Sequence, residues 1–190
     1  MELQQSTSSE IPESTTCCVL RGGPAGVVLS YLLARQEVDV TLLESHKDFD
    51  RAFRGDTLHA SVLDCLQQLG LAEDVLKLAG SRVREVKFVT DSSELVVAEF
   101  SRLKTEIPFI AMIPQVKFLG FMVGKASEFP TFKLLMEAHV QELIEDQGKV
   151  AGVQFKQHRK VRHLKSHLVI AADGRCSRLP NRSGLKFKAL

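Results

Sequence analysis

The sequence predicts an α/β fold that opens with a β-α-β unit, and three observations support this. A short apolar strand, about residues 16 to 20, runs into a glycine-rich turn. The turn opens a helix over about 24 to 36, beginning at Pro24. A second strand, about 38 to 43, then ends on the acidic Glu44. This order of elements is that of a Rossmann-like unit that binds dinucleotides.

The glycine turn carries the chemistry of the predicted site. Gly23 lets the backbone approach a pyrophosphate, and Gly26 lets the helix lie close to the strand. Backbone N–H groups of the first helical turn hold the phosphate charge. Glu44 follows about 20 residues later, where a carboxylate accepts hydrogen bonds from a ribose diol. The alternative is an ordinary strand-turn-helix with glycines for packing.

One residue departs from the usual G-x-G-x-x-G frame. Arg21 stands where that frame has its first glycine. If the backbone there is left-handed, a residue with a Cβ costs about 1–2 kcal/mol.

Two helices are predicted after this unit. From Thr57, apolar residues recur at helical spacing and stop at Gly70; they are Leu58, Val62, Leu66 and Leu69. A shorter helical stretch follows through Val75 and Leu78.

The second half of the chain is predicted to be rich in strands. Alternation over 83–100, around Asp91-Ser-Ser, predicts a hairpin, with Val86, Phe88 and Thr90 on one face and Leu95, Val97 and Glu99 across the turn. A helix is predicted over 115–128. Strands are predicted over 132–145, 149–157 and 161–171, with turns near Glu137 and Gly148.

Three further motifs follow the glycine turn in a characteristic order. They are Arg51-Ala-Phe-Arg-Gly-Asp-Thr-Leu-His59, Ile113-Pro-Gln115 and Leu168-Val-Ile-Ala-Ala-Asp-Gly-Arg-Cys-Ser-Arg178. In this order and at these distances the chain resembles the FAD-dependent aromatic-ring hydroxylases, the flavin monooxygenases related to para-hydroxybenzoate hydroxylase. The resemblance extends from Thr16 to Leu185.

The resemblance assigns roles to the residues of the turn. It implies that Gly22, Gly23, Ala25 and Gly26 line the FAD pyrophosphate. It also implies that Glu44 binds the adenosine ribose.

The resemblance assigns further cofactor contacts downstream. Arg54 matches an arginine that reaches the FAD backbone, and its permanent charge suits a diphosphate. Gln115 matches a glutamine that hydrogen-bonds the cofactor from the start of a helix. Val140, in Ala138-His-Val-Gln-Glu-Leu, matches a position whose backbone meets the adenine. Asp173 and Gly174 match an Asp-Gly pair associated with FAD and nicotinamide nucleotide binding.

The downstream residues also have simpler interpretations. In the simpler interpretation, Arg54 is a solvated charge on a loop. Gln115 is then an ordinary first residue of a helix. Asp173 and Gly174 read equally as a turn after a buried strand. Their joint order favours the cofactor interpretation.

The implied fold is a Rossmann-like FAD-binding domain with the beginning of a β-rich substrate-side sheet. Residues 1–15 are expected to be a disordered leader. The FAD-binding domain is expected over 16–80 and 105–185, and the start of the substrate-side sheet over 81–104. Family members are about twice this length, so the chain resembles an N-terminal half that lacks the C-terminal half of the family pattern.

The implied activity is NAD(P)H-dependent hydroxylation of a small aromatic or similar organic substrate. NADH or NADPH reduces FAD, and one atom of molecular oxygen goes to the substrate. The flavin carries this chemistry, so no catalytic side chain is assigned. Two alternatives are a non-catalytic remnant with weak or no FAD binding, and an NAD-binding dehydrogenase fragment.

Composition and charge set limits on other functions. The 190 residues are 44% hydrophobic and 25% charged, with a formal net charge of +2. A basic cluster over 156–167 alternates with Val161, Leu164 and Leu168, which predicts an exposed strand face rather than a nucleic-acid site. No apolar run of transmembrane length and no secretory signal pattern occurs.

The four cysteines show no zinc-binding spacing, no metal site is predicted, and a cytoplasmic location is expected. Cys17 and Cys18 are expected to be buried apolar residues of the first strand.

Overall fold

The structure, a computed structural model, describes residues 11–50, 56–172 and 174. The chain divides into two compact units, residues 1–49 with 122–190, and residues 50–121. In chain order the elements are β1 (Ser14–Leu20), α1 (Pro24–Arg35), β2 (Val40–Leu43), β3 (Thr57–Leu58), α2 (Ala60–Gln68), α3 (Ala72–Leu76), β4 (Ser81–Val83), β5 (Glu85–Val89), β6 (Glu94–Glu99), a 3₁₀ turn (Phe100–Arg102), β7 (Ile110–Met112), α4 (Gln115–Ala126), β8 (Phe132–Leu135), β9 (His139–Asp146), β10 (Lys149–Gln157) and β11 (Lys160–Ala171).

A six-stranded sheet organises the first unit, in the order β8-β2-β1-β11-β10-β9. The neighbours from β8 to β11 pair in parallel, whereas β11, β10 and β9 form an antiparallel meander. Four successive residues of β1 and all four of β2 are buried, as strands in the middle of a parallel sheet require. The predicted α/β fold, with a β-α-β unit at its start, is confirmed.

Helix α1 begins at Pro24, as predicted, because proline suits the first helical position, where the missing N–H would have no intrahelical partner. Its buried residues recur at helical spacing; they are Gly26, Val27, Ser30, Tyr31 and Ala34. The Tyr31 ring meets the edge of Phe129 with 6.0 Å between ring centroids. The buried face of α1 packs against β1, β2 and β8.

The antiparallel meander contributes to the same core as the parallel strands. Strands β8 and β9 lie at opposite edges of the sheet although only residues 136–138 separate them. Gln157 Nε2, at the end of β10, donates to the Met136 carbonyl at 2.8 Å. One buried cluster therefore unites side chains from both parts, including Leu20, Leu43, Leu135, Val153, Phe155 and Leu164.

The exposed strand face predicted for the basic cluster is largely observed. Arg162 is half-buried, and the other basic residues over 156–167 are exposed. Of the apolar residues that alternate with them, Leu164 is buried, but Val161 and Leu168 are 55% and 56% exposed. The predicted alternation is therefore wrong at those two positions.

The second unit contains helices α2 and α3, a three-stranded sheet in the order β3-β7-β4, and the β5–β6 hairpin. The prediction that a helix starts at Thr57 is wrong. Thr57 and Leu58 pair with Met112 and Ala111 of β7, and α2 begins only at Ala60. Gly70 follows α2 with φ +74°, which agrees with the predicted glycine stop.

The hairpin forms where it was predicted, but its facing residues differ. An irregularity between Val86 and Lys87 shifts the register, so Val86 pairs with Ala98 and Phe88 with Leu95. The predicted grouping of Val97 and Glu99 with Leu95 is therefore wrong. Val97 is an extra residue between the partners of Lys87 and Val86, and it reverses the side of the hairpin that the next side chains face.

Among the described residues, no helix is long and apolar enough to cross a membrane.

Candidate functional site

The turn between β1 and α1 has the backbone geometry expected of an anion site. Gly23 caps the helix in an extended conformation, with φ −75° and ψ 177°, and no side chain caps this end. Val27 N–H bonds to the Gly23 carbonyl at 2.9 Å. No acceptor among the residues that the structure describes bonds to the N–H groups of Gly23, Ala25 or Gly26. Helix geometry and the helix dipole favour an anion at these donors.

Two glycines in the turn lie where a side chain has no room. A Cβ on Gly26 would lie 2.1 Å from the Arg21 carbonyl oxygen, which is backbone and cannot move aside. A Cβ on Gly22 would lie 2.9 Å from the Phe49 ring and 3.2 Å from Glu44 Oε2. The predicted close approach of helix and strand at Gly26 is therefore observed.

Arg21 has a left-handed backbone, with φ +81°. Its N–H bonds to the Leu43 carbonyl at 2.8 Å, which ties the turn to the end of β2. Its guanidinium Nη1 donates to Ser45 Oγ at 3.3 Å, at an exposed position. The strain anticipated for a residue with a Cβ is therefore present, at about 1–2 kcal/mol.

Replacing Arg21 by glycine is expected to raise the free energy of unfolding by about 1 kcal/mol, because glycine adopts positive φ without a Cβ clash. Urea denaturation of the two proteins measures the difference. Arg21→Ala is the matched control, since it removes the guanidinium but keeps the Cβ. Equal stabilisation by both substitutions would show that the side-chain contacts, and not the backbone, carry the strain.

Glu44 lies at the end of β2 and is fully buried, with 0% exposure. Its Oε2 accepts the Gly22 N–H at 2.7 Å. Its Oε1 accepts the His46 N–H at 2.9 Å and contacts His46 Nδ1 at 2.5 Å and Ser45 Oγ at 3.2 Å. The carboxylate thus joins the glycine turn to the chain after β2.

This arrangement bears directly on the ribose role predicted for Glu44. Both carboxylate oxygens already accept hydrogen bonds from the protein. The His46 side chain, which contacts Oε1, is 49% exposed. A ribose hydroxyl that reaches Oε1 would take the place of that ring.

The adenine position predicted for Val140 lies just beyond this network along the chain. Glu44 N–H bonds to the Leu135 carbonyl at 2.9 Å, and Ala138 N–H bonds to the Glu44 carbonyl at 2.8 Å. Val140 follows two residues later in β9, pairs with Phe155 and packs against the buried cluster. The structure thus brings the turn, Glu44 and the chain leading to Val140 together in one unit.

The remaining predicted contacts have separate locations. Gln115 begins α4, and its N–H bonds to Asp56 Oδ1 at 3.1 Å within the second unit. Gly174 has φ +71°, typical of a glycine turn. Arg54 and Asp173 lie outside the described residues.

The cysteines of β1 have no accessible thiolate. Burial raises the pKa of the Cys18 thiol to about 12, with a smaller contribution from the neighbouring Cys17. Burial also raises the pKa of Cys17. Both residues pack as small apolar side chains, as predicted.

Three residues of the network were not identified from the sequence, namely Ser45, His46 and Phe49. Their closeness to Glu44 in the sequence was the one available signal. The hydrogen bonds of Ser45 and His46 depend on a sharp turn after β2, and that turn has no strong sequence pattern.

Comparison with known proteins gives a consistent result. Residues 14–189 match the family described as "FAD binding domain". The 6-methylpretetramide 4-monooxygenase of Streptomyces rimosus is 28% identical over 173 residues, covering 91% of this chain and 41% of that protein. Digeranylgeranylglycerophospholipid reductase 2 of Methanopyrus kandleri is 26% identical, covering 88% of this chain and 39% of that protein.

Solved structures show the same fold. The p-nitrophenol 4-monooxygenase PnpA from Pseudomonas putida DLL-E4 superposes with a TM-score of 0.81 at 21% identity, covering 94% of this chain and 46% of that one. OxyS anhydrotetracycline hydroxylase from Streptomyces rimosus superposes with a TM-score of 0.77 at 21% identity, covering 93% of this chain and 35% of that one. The chain spans about two fifths of the length of the two relatives named above.

Proposed function

From the premise that the chain belongs to the FAD-binding-domain family, we propose that it forms the FAD-binding part of an NAD(P)H-dependent monooxygenase. The family anticipated from the sequence is thereby confirmed. The substrate that we propose is a small aromatic or similar organic molecule, and the oxidant is molecular oxygen.

The observation that carries FAD binding is the set of backbone donors at the start of α1 that have no acceptor among the described residues. The N–H groups of Gly23, Ala25 and Gly26 fit a diphosphate, which needs several converging donors and close backbone approach. The missing Cβ at Gly23 leaves the approach open. FAD supplies electron transfer and oxygen chemistry, while these residues bind and orient it.

The other proposed contacts extend the same site. Gly22 donates its N–H to Glu44 and so sets the carboxylate beside the turn, where we propose that it receives the adenosine ribose. Val140 is proposed to meet the adenine. Arg54, Gln115, Asp173 and Gly174 remain proposed cofactor contacts on the strength of their motifs alone.

A monooxygenase is preferred to a reductase because the relative with 28% identity is a monooxygenase, although the reductase is only slightly more distant at 26%. The oxygen dependence of NAD(P)H oxidation separates the two reactions. A monooxygenase consumes oxygen together with NAD(P)H, whereas a reductase transfers the reducing equivalents to its substrate without oxygen.

The 190-residue chain is expected to bind FAD stoichiometrically. Purification followed by flavin absorbance, and titration of flavin-free protein with FAD by calorimetry, measure this. Oxygen consumption with NADH and NADPH is then followed with an oxygen electrode. Uptake of oxygen supports the monooxygenase.

The alternatives have distinct outcomes in the same experiment. A colourless protein that FAD does not reconstitute would contradict the proposal and favour a non-catalytic remnant. Tight binding of NAD without FAD would favour a dehydrogenase. Titrating Arg21→Gly with FAD shows whether the strained turn weakens cofactor binding.

A further inference from the structure

Two arginines of the second unit lie over one phenylalanine ring. Arg82 belongs to β4, and Arg84 directly follows that strand. Their guanidinium carbons lie 5.0 Å and 5.9 Å from the centroid of the Phe109 ring. Phe109 is 7% exposed and precedes β7, which pairs antiparallel with β4. Continuing this register places Arg84 opposite Phe109, so the ring holds both guanidinium groups on one side of the strand pair.

Neither guanidinium has an acidic partner among the described residues. The acids nearest in the sequence are engaged elsewhere, since Glu85 pairs with Lys87 at 3.1 Å and Glu99 pairs with Arg102 at 2.5 Å. Arginine is always charged, and its planar fork matches the two oxygens of a carboxylate. The two guanidinium groups on this ring are exposed and have no acceptor in the part of the chain that the structure describes, so they form a local site of positive charge.

An apolar surface begins next to this charge. The Arg84 carbonyl accepts the Phe100 N–H at 2.7 Å, which fixes the arginine at the base of the hairpin. The cross-strand pairs Val86–Ala98 and Phe88–Leu95 share one hairpin face. Phe88 and Leu95 are 66% and 63% exposed on that face.

The other hairpin face mixes charged and apolar side chains, since Val89 and Val96 there are 69% and 48% exposed. Lys87 there pairs with Glu85 at 3.1 Å and lies 3.6 Å from Glu94. Arg84 directly precedes β5, and continuing the alternation of that strand by one residue places Arg84 on the side of Val86 and Phe88 rather than on the side of Lys87. The positive charge is therefore continuous with the apolar face.

We propose that Arg82, Arg84 and Phe109 form a binding site for an organic carboxylate. The carboxylate is held by the two guanidinium groups, and the apolar body of the ligand lies against Phe88 and Leu95. Charge complementarity selects the anionic group, and the exposed apolar side chains select an organic rather than an inorganic anion. The site does not depend on the proposed flavin binding, because all of its residues lie in the second unit.

The test uses the 190-residue chain without added flavin and 2-naphthoate as the probe, followed by chemical-shift titration. The neutral amide of 2-naphthoate and inorganic phosphate are titrated in parallel as comparison compounds. Saturable binding of 2-naphthoate, at least tenfold tighter than of either comparison compound, is expected. Equal binding of the amide would overturn the role of the charge, and tighter binding of phosphate would overturn the organic ligand.

The double substitution R82Q/R84Q is expected to weaken 2-naphthoate binding at least tenfold. Arg102→Gln is the matched control, since Arg102 is exposed but already paired with Glu99, and it is expected to leave binding unchanged. If the double variant does not fold, Arg84→Lys serves instead; it keeps the charge, loses the planar fork and is expected to weaken binding several-fold. Unchanged affinity in the folded variant that is tested would refute the site.

Discussion

Replacement of Gly26 by alanine is expected to lower the free energy of unfolding by about 3 kcal/mol, at the upper end of what overpacking costs. The added Cβ would meet the Arg21 carbonyl oxygen at 2.1 Å, and the backbone on both sides is fixed. Arg21 N–H bonds to β2, and α1 is anchored by its buried face. The helix must therefore move away from β1, which also displaces the N–H donors at its start. Urea denaturation measures the stability, and FAD titration should show at least tenfold weaker binding.

The matched control is Gly124→Ala in α4. A Cβ at Gly124 meets no atom within 4 Å, and alanine is the better helix former by about 0.8–1 kcal/mol. The control protein should therefore be more stable than the original. A Gly26→Ala protein that unfolds at the same urea concentration as the original would show that helix and strand are not held this closely.

The outcome at the first turn shows what a sequence can specify. Gly26 and Pro24 have roles set by local rules, because a missing Cβ and a fixed φ act within a few residues. The left-handed backbone at Arg21 was predicted only conditionally, because the glycine frame marks the position but does not give its φ angle. The short apolar runs likewise predict β1 and β2, because strands that are buried on both faces are nearly continuous in apolar residues.

Features that depend on distant pairing were not predictable in the same way. Thr57 and Leu58 fit a helical pattern, yet they pair with β7, more than 50 residues away in the chain. The irregularity after Val86 reverses the facing of the hairpin, and a single extra residue leaves no mark on composition. In the first case a strand far away in the chain determines the conformation, and in the second an irregularity in the pairing of two adjacent strands does.

The candidate site shows the same division. Glu44 was identified from its place at the end of β2, but its burial and its bonds to Gly22 and His46 were not. A spacing rule gives the position of a carboxylate; it does not give the turn that folds Ser45 and His46 back onto it. The paired arginines over Phe109 were missed for a similar reason, since their contact arises across the pairing of β4 with β7.

Glu44→Ala is expected to lower the free energy of unfolding by about 2–4 kcal/mol. The substitution leaves the buried Gly22 N–H without its acceptor, which costs about 1–3 kcal/mol, and it also removes the acceptor of the part-buried His46 N–H. Because the Glu44 side chain is fully buried, its removal also leaves a cavity beside the turn. FAD affinity should fall as well, since the carboxylate both orients the turn and is the proposed ribose acceptor. Urea denaturation and FAD titration measure the two effects.

Two further variants separate these effects. Glu142→Ala, at an exposed position of β9, is expected to change stability by less than about 0.5 kcal/mol. His46→Ala removes the ring that contacts Oε1 but keeps the His46 N–H bond, so it should retain most of the stability and leave Oε1 more accessible. If ribose binds there, FAD affinity should rise in His46→Ala and fall in Glu44→Ala. A fall in both would instead show that the His46 ring belongs to the binding-competent form of the site.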